Sequence, residues 1–219
     1  MYVHCEICTN KQTGCNRDVN MKKMPDTLLV IDIEATCWEK PKDQPAGQKN
    51  EIIEIGIVPI SLRKLTIGEP RAFLVKPITS KVSRFCTRLT SLTQAQVDAG
   101  ISFREACGRM VKEFDSQTIP WVSWGDYDCR QFKYQCDDTK TPWPFGAGHW
   151  NFKETYAKMM GLEHDVSLTI ALRMMGQDFD GAPHRGADEA YNIAKVMIET
   201  FRRVRGYGKE EIREIARAG

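Results

Sequence analysis

Asp32 and Glu34 stand two residues apart inside the apolar run Leu28-Leu29-Val30-Ile31-Asp32-Ile33-Glu34-Ala35-Thr36. On a β-strand, residues i and i+2 project to the same face, so the two carboxylates lie side by side. A buried carboxylate is costly unless it is neutralised, paired with a cation or bound to a metal. The alternative is an edge strand whose Asp and Glu face water, as on the wet side of an antiparallel sheet. Further candidates sit where elements end, the places at which catalytic groups gather. Asp126 and Asp128 occupy Trp124-Gly125-Asp126-Tyr127-Asp128, a strand end running into a helix. His184 lies in the loop Asp180-Gly181-Ala182-Pro183-His184-Arg185-Gly186, and Asp188 and Glu189 open the helix after it. Each has a structural alternative: a helix cap, a surface histidine, or acids suited to a first helical turn. Taken together they form a set of hard oxygen ligands suited to a divalent cation, beside a histidine that can exchange a proton near neutral pH.

The elements that must position these groups are legible in outline. Residues 28–35, 52–58 and 72–75 read as three strands with short spacers, an antiparallel meander. Thr93–Ala99, Phe103–Phe114 after the N-cap Ser102, Cys129–Cys136, Phe152–Met160 and Leu168–Met175 read as helices. Trp121-Val122-Ser123-Trp124 reads as a short strand. A last helix from about Ala187 to Val204 carries the stripe Ala190, Ile193, Ala194, Met197, Ile198 and Phe201. A strand meander followed by strand–helix alternation predicts a layered α/β domain.

Length and composition narrow the class. The chain has 219 residues, 27% of them charged, and a net charge of +2. That suits one folded domain rather than a disordered or strongly basic protein. No apolar run has the length of a membrane span, and no membrane association is expected. The eight cysteines read mostly as reduced thiols of an intracellular, cytoplasmic protein. Residues 1–24 are a separate leader, with His4, Cys5, Cys8 and Cys15 offering either a zinc clip or a flexible extension upstream of Met21 or Met24. The folded domain is expected over 25–206, with a short helical tail over 207–219.

Asp32-Ile33-Glu34-Ala35-Thr36-Cys37-Trp38 resembles the first motif of the DEDDh 3′→5′ exonucleases. It is most similar to that of the Eri-type group, which includes histone-mRNA and small-RNA trimming enzymes and bacterial relatives. Glu51-Ile52-Ile53-Glu54-Ile55-Gly56, the segment Leu89–Asp98 and the segment Asp180–Ala194 resemble further segments of that group. The resemblance spans roughly residues 27–205. It implies an RNase H-like (DnaQ-like) three-layer α/β domain, a mixed five-stranded sheet flanked by helices, with carboxylates at one sheet edge. It implies Asp32, Glu34 and Asp128 as ligands of two Mg²⁺ or Mn²⁺ ions, with Asp128 selected over Asp126 because it follows an aromatic residue. It implies His184 as general base. Five residues on, where the family has Asp, this chain has Glu189; Asp188 is one place early and points about 100° away on a helix. Glu189 is therefore the expected fourth ligand.

The implied substrate is the 3′ end of single-stranded RNA or DNA, RNA above DNA, and the product a nucleoside 5′-monophosphate. Ala35, Thr36, Cys37 and Trp38 would border the terminal nucleotide, with Trp38 either stacking on a base or packing as an ordinary aromatic. Lys81, Arg84, Arg88, Arg130 and Arg185 are available for phosphates or for solvation. Arg202, Arg203 and Arg205 suit a helix C-terminus as well as RNA. Two rivals stand beside this reading: a DNA-directed nuclease, and a nucleic-acid-binding regulator in which Glu189 marks lost catalysis.

Overall fold

The computed structural model describes residues 25–146 and 148–218, with side chains as far as Gly206. The leader over 1–24, with its possible zinc clip, lies outside the described residues. Six strands appear: β1 (Thr27–Ala35), β2 (Ile52–Ser61), β3 (Thr66–Ile67), β4 (Arg71–Leu74), β5 (Trp121–Ser123) and β6 (His149–Asn151). Seven α-helices accompany them among the described residues: α1 (Arg84–Thr90), α2 (Gln94–Asp98), α3 (Phe103–Phe114), α4 (Tyr127–Thr139), α5 (Phe152–Met159), α6 (Leu168–Met174) and α7 (Gly186–Ala218), with a 3-10 turn over Pro41–Asp43.

β1 runs antiparallel to β2 along its whole length and parallel to β5, and β6 follows β5 in parallel. The sheet order is β3-β2-β1-β5-β6, with β4 also paired to β2. The expected edge position of the carboxylates is thereby corrected, because β1 is the central strand. The expected five strands become six. β3 and β6 are two and three residues long, too short to display a period of two.

The period of two in β1 sorts its side chains into two cores. Leu28 and Val30 face a core built with α5, α6 and α7. Leu29, Ile31 and Ile33 face a second core with α3 and α4. Asp32 and Glu34 share the parity of Leu28 and Val30 and so face α7. α7 covers that side through Ala190, Ile193, Ala194, Val196, Met197, Ile198 and Phe201, all buried. It is one helix to Ala218 rather than a helix and a separate tail. Gly206 and Gly208 cost about 1 kcal/mol each in a helix interior, which disfavours but does not forbid continuation. No helix among the described residues is long and apolar enough to cross a membrane.

Candidate active site

Three elements bring the acidic groups together. β1 supplies Asp32 and Glu34 at its C-terminal end. α7 reaches them because two glycines let backbone meet backbone: a Cβ on Gly56 would fall 1.9 Å from the Gly186 carbonyl oxygen, and one on Gly186 would lie 2.8 Å from the Gly56 nitrogen. Gly56 is the register partner of Asp32, so this contact sets the first turn of α7, with Glu189, beside the β1 carboxylates. α4 delivers Asp128 from the other side. Its Oδ1 accepts from the Ile33 N–H at 3.1 Å, which pins the side chain to the β1 backbone at the residue between the two acids.

Asp126 turns elsewhere. Its Oδ1 lies 3.8 Å from His149 Nδ1, and His149 Nε2 meets Ser123 Oγ at 2.8 Å. That serine is buried and donates to the Gly125 carbonyl, so the three groups pack β5 to β6 and offer no exposed nucleophile. Asp188 also faces away from the cluster. Its Oδ2 accepts from the Ala182 N–H at 2.8 Å, closing the loop before α7. Glu189 Oε1 accepts from the His184 N–H at 3.0 Å, tying the loop histidine to the helix turn. His184 itself is exposed and holds φ +58°, a left-handed backbone uncommon outside glycine.

The electrostatics of the gathering are those of unpaired acids, Glu34 and Asp128 buried and Asp32 and Glu189 half-buried. Burial first, then the charges of Asp128, Glu34, Glu189 and Glu54, push Asp32 well above the usual carboxylate range. Burial, followed by Glu189 and Glu54, pushes Glu34 up to about 8. Asp128 is pushed up to about 6 by burial, against the opposing hydrogen bond from Ile33. Burial raises Glu189 as well, opposed by the His184 N–H. Among the described residues, no group of three or more His, Cys, Asp or Glu side chains is placed to hold a metal ion as it stands. The donor chemistry nonetheless fits one. Four hard-oxygen acids repel one another at one strand end, and divalent cations relieve that repulsion through oxygen ligands.

The expected nucleotide-binding segment divides. Thr36 is buried and committed internally: its N–H donates to the Glu51 carbonyl at 2.8 Å and its Oγ1 donates to the Lys49 carbonyl at 2.9 Å. Ala35 is buried, whereas Cys37 and Trp38 are half-buried at the rim. Of the basic candidates, Arg185 is engaged with Glu54 and Arg88 lies 3.8 Å from Glu39. Lys81, Arg84 and Arg130 are exposed. Arg202, Arg203 and Arg205 hydrogen-bond carbonyls of Leu65, Met175 and Leu62, bracing α7 against its neighbours.

Two site residues escape the sequence reading. Tyr127, 48% exposed, precedes Asp128. Partial burial, then the charges of Asp128, Cys37, Glu34 and Asp32, push its hydroxyl up to about 12. Its signal was the aromatic residue next to the chosen aspartate. Glu54, fully buried on β2 opposite Glu34, carried the same signal as Asp32: an acid inside an apolar strand.

Comparison with known proteins gives this geometry its class. A family model described as Exonuclease (RNase_T) matches residues 29–197, and the chain belongs to that family. Its fold is the RNase H-like fold of DEDDh exonuclease domains, a divalent-metal-dependent family. A curated relative, 3'-5' exoribonuclease 1 of Rattus norvegicus, is 31% identical over 183 residues, covering 79% of this chain and 52% of the relative. The chain thus spans about half the length of that protein. The solved nuclease domain of 3'hExo, a DEDDh family member bound to rAMP, superposes with a TM-score of 0.71 at 28% identity, covering 81% of this chain and 92% of that one. A second solved structure, of 3'-exonuclease recognising the 3' end of a histone mRNA stem-loop, gives 0.72 at 29% identity, covering 80% and 63%.

Proposed function

We propose that this chain is a metal-dependent 3′→5′ exonuclease that shortens single-stranded RNA and releases nucleoside 5′-monophosphates, using two Mg²⁺ or Mn²⁺ ions. The observation that carries the reading is the convergence of Asp32, Glu34, Asp128 and Glu189 at the end of β1, with His184 bonded to Glu189. The names of its relatives and the rAMP bound to 3'hExo support RNA over DNA.

Asp32, Glu34, Asp128 and Glu189 would hold the ions. Bound divalent ions supply activation of water and charge neutralisation at phosphate and leaving oxygen. His184, exposed on its loop, would take the proton of the attacking water as its oxygen bonds to phosphorus and the bond from phosphorus to the 3′ oxygen of the preceding nucleotide breaks, that oxygen leaving with the shortened strand and taking a proton from solvent. Asp128 is held at the β1 backbone by the bond from the Ile33 N–H to its Oδ1. Cys37, Trp38 and Tyr127 border the terminal nucleotide, the aromatic rings offering stacking surfaces, while Ala35 and Thr36 fix the backbone beneath them. The five described cysteines, Cys37, Cys86, Cys107, Cys129 and Cys136, are free thiols, which supports work in a reducing intracellular compartment.

The test compares matched single-stranded RNA and DNA in Mg²⁺ or Mn²⁺, with products resolved by anion-exchange chromatography. Faster release of 5′-mononucleotides from RNA is expected. Internal cleavage products would refute the exonuclease reading, and faster DNA hydrolysis would move the substrate assignment.

A further inference from the structure

We propose that Glu54 is a positioning residue for hydrolysis: through Arg185 and Gly186 it holds the His184 loop and the Glu189 turn against the sheet. The inference rests on the exonuclease reading and names a residue on which that site depends.

Glu54 spends both carboxylate oxygens on this loop. Arg185 Nη2 donates to Oε1 at 2.7 Å and Arg185 Nε donates to Oε2 at 3.1 Å, a forked pairing. The Gly186 N–H donates to Oε2 at 2.7 Å. The three donors belong to the two residues that follow His184. The loop's other side-chain hydrogen bonds run back to α7: Asp180 N–H to Asn192, Ala182 N–H to Asp188, and His184 N–H to Glu189. Among the described side-chain hydrogen bonds, those of Glu54 are the ones that join this loop to the sheet bearing Asp32 and Glu34. The two halves of the site are therefore registered through Glu54, with the Gly56–Gly186 backbone contact beneath it.

The conformation of His184 points the same way. A non-glycine residue at φ +58° is strained and persists only where its surroundings over-determine it. A clamp on the next two residues does so. Net stabilisation is a poor explanation for the pair: a buried carboxylate with its arginine is often no more stabilising than apolar residues of similar size. It also places a further acid opposite Glu34, where acids already repel.

The test uses the full chain with Glu54→Gln, which keeps the side-chain size, and Arg185→Met, each read two ways. In steady-state digestion of single-stranded RNA, kcat should fall at least about tenfold in each. KM should stay within about threefold, with the double variant no worse than the poorer single one. In the ion-free protein, amide hydrogen exchange over residues 181–187 should rise at least about tenfold while β1 is unchanged. Arg185→Lys should recover part of both effects. Unchanged exchange at 181–187 in the folded variants overturns the proposal. So does a kcat within about twofold of the parent, or a rise in KM at unchanged kcat. If the parent does not cleave RNA, the nuclease reading fails by itself, and the exchange data still uphold or overturn the clamp. If Glu54→Gln does not fold, the Arg185 variants carry both measurements.

Discussion

Replacing Glu34 by Gln should stabilise the ion-free protein while abolishing its activity. Glu34 is 9% exposed, and its carboxyl is pushed from an ordinary 4.5 to about 8 by burial and then by Glu189 and Glu54. The folded state thus binds this proton more tightly than the unfolded chain does. Its stabilising contribution is complete below about pH 4.5 and is lost as pH rises through about 8. At pH 8 the cost has a ceiling of about 4 kcal/mol, and relaxation of the neighbouring acids brings roughly half of that into play. Glutamine carries no such charge. For a chain of this length 1 kcal/mol moves Tm by about 2–4 °C. Thermal unfolding in EDTA should then show Glu34→Gln melting about 4–8 °C above the parent at pH 8, and only about 1–2 °C above it at pH 5. Saturating Mg²⁺ should close the gap by raising the parent. A variant no more stable than the parent at pH 8, or a gap that ignores pH, would refute the electrostatic account of the cluster.

Other consequences are equally concrete. Gly56→Ala drives a Cβ to within 1.9 Å of the Gly186 carbonyl. It should cost about 1–3 kcal/mol in denaturant unfolding and lower activity by displacing the α7 turn. Glu189→Gln should lower kcat at least about a hundredfold, whereas Asp188→Asn, which weakens only the bond from the Ala182 N–H, should cost about 1 kcal/mol of stability and little rate; equal rate losses would reinstate Asp188. Tyr127→Ala should weaken single-stranded RNA binding by about 1–3 kcal/mol, read by fluorescence anisotropy in Ca²⁺. Unchanged affinity would remove it from the substrate path.

The alternation in β1 made the Asp32–Glu34 pair and its shared face readable from the chain alone. The caps at Ser102 and Thr93 fixed two helix starts. What could not be read is non-local. The central place of β1 depends on β5 docking parallel to it through Leu29–Trp121 and Val30–Val122, a pairing made across some ninety residues of chain. The short strands β3 and β6 contain too few residues to show a pattern. Helix α1 was missed because seven residues hold barely two turns, though Ser83 caps it. Glu54 was legible in kind but not in partner: an acid in Ile52-Ile53-Glu54-Ile55 demands a cation, and only the fold shows that it is Arg185 rather than a metal. Arg185 in turn was offered for phosphate because the sequence does not show what already occupies a guanidinium.

If the acids at the end of β1 form a divalent-metal hydrolytic site acting on 3′ ends, digestion of 5′-labelled single-stranded RNA by the parent in Mg²⁺ should give, on a sequencing gel, a ladder shortening one nucleotide at a time from the 3′ end. No ladder is expected in EDTA, and folded Asp32→Asn should lose at least about a thousandfold in rate. A ladder that persists in EDTA or in Asp32→Asn would contradict that assignment.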